Sequence, residues 1–83
     1  MAKKDQRHKK EVVGFVGVGL DNQDEQQRLT RAEHFVLIGG SKETHERMQE
    51  TAIKFNEELD RRGKPLPETS VEEILEIFHE IHE

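Results

Sequence analysis

Eighty-three residues without a cysteine suit one domain, and they exclude a disulfide framework and any thiolate metal site. The formal charge of −5 conceals two poles: residues 1–10 carry five Lys/Arg against one Asp, while residues 65–83 carry six Glu and no Lys or Arg. No apolar run follows the charged N-terminus, which argues against a signal peptide, and the longest apolar stretch, Phe35–Ile38, is far too short to span a bilayer.

Met1–Lys10 shows neither apolar periodicity nor turn chemistry and reads as a disordered basic arm. Residues 11–83 read as a single α+β domain. Val12, Val13, Phe15, Val16, Val18 and Leu20 have strand character, interrupted by Gly14, Gly17 and Gly19, which mark a bulge or close backbone packing. Asp21–Glu25 is a polar turn. A second strand begins near Arg28–Thr30, Arg31–His34 is the favoured turn, and Phe35–Ile38 forms a third strand.

Gly39-Gly40-Ser41 closes the β region, with Ser41 as the N-cap of a helix running to about Arg62. His45, Met48, Ala52, Phe55 and Leu59 recur at spacings of three and four, so they share one face. Gly63 is a suitable C′ residue, and Pro65 and Pro67 bar continuation. Thr69 or Ser70 caps the last helix, whose inner face is Val71, Ile74, Leu75, Phe78 and His82, widened by Ile77 and Ile81. Strands first and helices after predict an α+β fold: a small, mostly antiparallel sheet of two or three strands followed by two antiparallel helices.

The strand pattern points to a partner. Val12, Val16, Val18 and Leu20 share one face of the first strand, Val13 and Phe15 the other; Phe35 and Leu37 oppose Val36 and Ile38 in the last. A sheet with one wet face would alternate apolar with polar. Two helices cover one face, and Ile53 lies off the helix stripe, so a homodimer is expected.

Chemistry-bearing residues are few. The strand–Gly39-Gly40-Ser41–helix corner, with Lys42, Thr44 and His45, is a candidate anion or phosphate site, because helix N-termini present unpaired amides. It lacks P-loop spacing, and a capped structural corner explains the same residues. Asp21, Asn22, Asp24 and Glu25 lack EF-hand spacing. His79, His82 and Glu83 do not form H-E-x-x-H, so no metal and no cofactor is implied. The basic arm, through Lys3, Lys4, Arg7, Lys9 and Lys10, offers salt-sensitive attraction to nucleic acid, with Arg28 and Arg31 as auxiliaries and Phe15 or Phe35 as stacking platforms. The leading expectation is a small cytoplasmic binding module, homodimeric, with an anion site at the corner. A nucleic-acid-associated protein is the first alternative, and a small enzyme using His45 and Thr44 is the second.

Overall fold

The computed structural model describes residues 11–82; the basic arm expected over residues 1–10 lies outside them, as does Glu83. Three strands, β1 (Phe15–Gly19), β2 (Leu29–Ala32) and β3 (Phe35–Gly39), precede two helices, α1 (Lys42–Arg62) and α2 (Val71–Ile81), with a 3-10 turn over Leu66–Glu68 between the helices. The fold is α+β, with the sheet ordered β1-β3-β2.

The sheet is mixed rather than mostly antiparallel. β2 and β3 form an antiparallel hairpin through a two-residue turn, in which His34 takes a positive φ of 70°. Arg31 and Ala32, expected in the turn, belong to the strand instead. β1 pairs with β3 in parallel, Phe15 beside Phe35 through Gly19 beside Gly39. Parallel neighbours need a long crossover, which is usually a helix. Here residues 20–34, a loop plus β2, supply it by passing over the end of β3. β1 is shorter than the apolar run around it, and its one-to-one register contains no bulge. Its glycines mark close packing: a Cβ on Gly17 would lie 3.0 Å from a Leu37 methyl carbon.

Both helices pack on the same face of the sheet. Phe35 and Leu37 are buried there with Ala52, Phe55 and Leu59 of α1, Leu66 of the linker, and Ile74 and Ile77 of α2. Phe15, Phe35, Phe55 and Phe78 come from four different elements and meet with ring centroids between 4.7 and 5.6 Å apart. Val12 also packs on this core, so it does not share the outward side of Val16.

Local chemistry sets the helix ends. The Thr44 amide donates to Ser41 Oγ, and the Glu73 amide donates to Ser70 Oγ, which settles the second cap on Ser70. Gly63 ends α1 at a left-handed φ of 72°.

A long-range ion-pair network sets the rotation of α2. Arg62, in the last turn of α1, donates to Glu58, Glu73, Glu76 and Glu80, and Lys64 adds a second cation to Glu73. Helical spacing groups Glu73, Glu76 and Glu80 on one side of α2 and Ile74, Ile77 and Ile81 beside them. Clamping the carboxylates to Arg62 turns the isoleucines inward. Val71, Leu75 and His82, expected on the inner face, are left exposed.

Lys64 and then Arg62 hold the Glu73 carboxyl below its ordinary value of 4.5. Its contribution to stability is therefore complete above about pH 4.5 and is lost as pH falls through the lower folded value. Arg62→Leu should lower the melting temperature at pH 7 by several degrees. It should also flatten the acid limb of stability, because protonation then relieves repulsion among four crowded glutamates. Thermal melts of both proteins from pH 3 to 7 check both outcomes.

Candidate functional site

The glycine corner joins the end of β3 to the start of α1. Gly39 and Gly40 both adopt positive φ, 75° and 86°, which L side chains rarely tolerate. Gly19 lies against them: a Cβ there would stand 2.5 Å from Gly40 Cα. Three glycines thus let the chain reverse tightly over the end of β1.

The helix N-terminus at this corner meets a carboxylate from the chain itself. Asp21, at the start of the crossover loop, accepts from the Ser41 amide at 2.9 Å, the Ser41 hydroxyl at 3.1 Å and the Thr44 hydroxyl at 2.6 Å. These are the donors an external anion would use, so an added phosphate must compete with Asp21. The Thr44 hydroxyl, followed by the Ser41 amide, holds the Asp21 carboxyl below its ordinary value of 3.8. Asp24, placed in the same polar turn from sequence, is used separately: it pairs with Arg28, which also reaches Gly40 C=O at 3.2 Å. The Arg28 guanidinium, hydrogen-bonded to Asp24, correspondingly holds that carboxyl below its usual range. Two loop residues therefore fasten the corner from opposite sides.

The expected site residues separate into two groups. Ser41 and Thr44 turn to Asp21. His45 turns the other way and is buried, with Nδ1 2.8 Å from Gly39 C=O and Nε2 2.8 Å from Thr30 Oγ1. A carbonyl only accepts, so Nδ1 carries a proton. Thr30 Oγ1 accepts from Gln49 Nε2 and so has its own proton to give Nε2 of His45. Lys42 borders a shallow polar recess with Gln27, Arg28, Thr30, His45 and Gln49. His45 and Thr44 are thus not aimed at a common point, and His45 is engaged in joining β2, β3 and α1. Asp21, Thr30 and Gln49 are the partners that sequence spacing missed, since each contact spans fifteen residues or more.

Two further features border β1. On the helix side, an apolar groove of about 430 Å³ runs along the strand, lined by Phe15, Gly17, Thr44, Met48, Thr51 and Phe78. On the opposite side the sheet is bare: Val16, Val18, Leu29 and Ile38 are 66, 57, 62 and 43% exposed. Register aligns them in rows, Val18 beside Ile38 beside Leu29, and Val16 beside Val36 beside Arg31. Ile53 on α1 is also exposed. Among the described residues no group of three His, Asp or Glu is placed to hold a metal ion, and no helix is long and apolar enough to cross a membrane.

Two substitutions test the corner. Gly19→Ala should cost about 1–3 kcal/mol by overpacking, read from chemical denaturation. Asp21→Asn should expose the Ser41–Thr44 amides to competition, so that phosphate titration shifts their resonances in the variant and leaves the wild type unmoved. Comparison with known protein families, with curated proteins and with solved structures finds no match for this chain.

Proposed function

We propose that this protein is a small interaction module that works as a homodimer, using the bare face of its sheet and the adjoining border of β1. One observation carries the reading: both helices lie on one side, leaving two apolar rows across three strands open to water. Single exposed apolar residues are ordinary on a protein surface. A contiguous sheet face is not, because hydrophobic burial is the main stabilising term a small chain has. The polar residues that would wet such a face are largely missing, Arg31 being the exception within the two rows.

The glycine corner enters this reading as the joint that sets the angle of α1. Asp21 takes the helix amide and the two hydroxyls, and His45 ties the joint to β2. Its chemistry is that of a fastening, and the binding surface lies elsewhere.

Self-association is expected to be concentration dependent. Sedimentation equilibrium should show a monomer–dimer transition for the wild type. Val18→Glu, a charge set in the middle of the bare face, should weaken association at least tenfold with the circular dichroism spectrum unchanged. A monomer at all concentrations, or a Val18→Glu dimer of undiminished strength, contradicts the reading.

A further inference from the structure

The outer side of β1 is self-complementary. Phe15 N–H donates to His34 C=O, so the backbone groups of Phe15, Gly17 and Gly19 turn toward β3. Successive residues of a strand turn their backbone groups to opposite sides. The amides and carbonyls of Val16 and Val18 therefore point outward along the border, where no strand of the described residues lies beyond them.

That border has none of the devices that keep edge strands apart. From Val12 to Leu20 there is no charged residue and no proline. The other border, β2, carries Arg31 and is flanked by Arg28 and Glu33. Residues 1–10 are a poor match for the apolar surface, since Met1 and Ala2 are their only apolar residues.

We infer that β1 pairs antiparallel with β1 of a second copy across a two-fold axis at Gly17. The inference rests on the homodimer reading and gives it a geometry. Hydrogen bonds require outward-pointing residues to face one another, which places the axis at Val16, Gly17 or Val18. The Gly17 axis alone lays all five residues of β1 against all five of the other copy. Val16 then faces Val18 of the partner subunit, and the two exchange both hydrogen bonds. Phe15 faces Gly19 of the partner subunit. On the other side the apolar rows become continuous: Leu29, Ile38 and Val18 of one copy run into Val16 and Val36 of the next.

Amide hydrogen exchange tests the geometry on the unmodified protein. In a sample that sediments as a dimer, the Val16 and Val18 amides should exchange at least tenfold more slowly than in a dilute monomeric sample, with Gly17 little changed. Val16→Pro removes one outward N–H and leaves the ladder to β3 intact; it should give a folded monomer. A dimer whose Val16 and Val18 amides exchange as in the monomer overturns the edge geometry and leaves the homodimer reading standing. A wild type that stays monomeric at millimolar concentration overturns both.

Discussion

Four phenylalanines, the whole complement of the chain, meet in one cluster, and the rest of the fold is arranged around them. β1, β3, α1 and α2 contribute one ring each, in stacked, tilted and edge-on contacts. Aromatic rings bring large apolar area per residue, so a short chain can build a dry core from few side chains. The cluster also imposes a constraint. Phe15 and Phe35 lie on one side of the sheet, and both helices must come to that side to meet them. The opposite side has no helix left to cover it.

The other interactions tune this arrangement. Asp21 and Arg28 fasten the crossover loop to the glycine corner and so fix where α1 starts. The His45–Thr30–Gln49 set ties α1 to β2 at the far border of the sheet. Arg62 fixes the rotation of α2 through Glu73, Glu76 and Glu80. Exposed ion pairs contribute little individually, but a guanidinium shared by four carboxylates selects one helix orientation over its neighbours. The acidic tail-end helix is thus partly a counterpart to Arg62, as well as a solvated face.

Features written in adjacent residues could be read from the sequence. The Ser41 cap, the Gly63 stop and the His45–Leu59 stripe are set by residues close together in the chain, and the structure places them as expected; of the two candidates for the second cap, Thr69 and Ser70, it uses Ser70. The uncovered sheet face also followed from strand parity. Features decided at long range did not show. Arg31–His34 contains no glycine or asparagine to mark its turn, and His34 takes the left-handed conformation without that signal. The parallel pairing of β1 depends on where a loop crosses, which composition does not encode. The inner face of α2 was misassigned at Val71 and Leu75 because an apolar pattern broader than one stripe admits two rotations, and a residue on another helix chooses between them. At the corner the glycines, serine and threonine were visible, but their carboxylate partner stands twenty positions away.

The central claim is that copies of the chain meet along the β1 border of the bare sheet face. Paramagnetic broadening by a soluble gadolinium chelate reports most directly on whether water reaches it. With methyl groups labelled, the account predicts that Val16 and Val18 broaden strongly in dilute solution and become shielded as concentration rises, while Leu75 and Val71 on α2 stay accessible throughout. Equal broadening of all four residues at every concentration would contradict it.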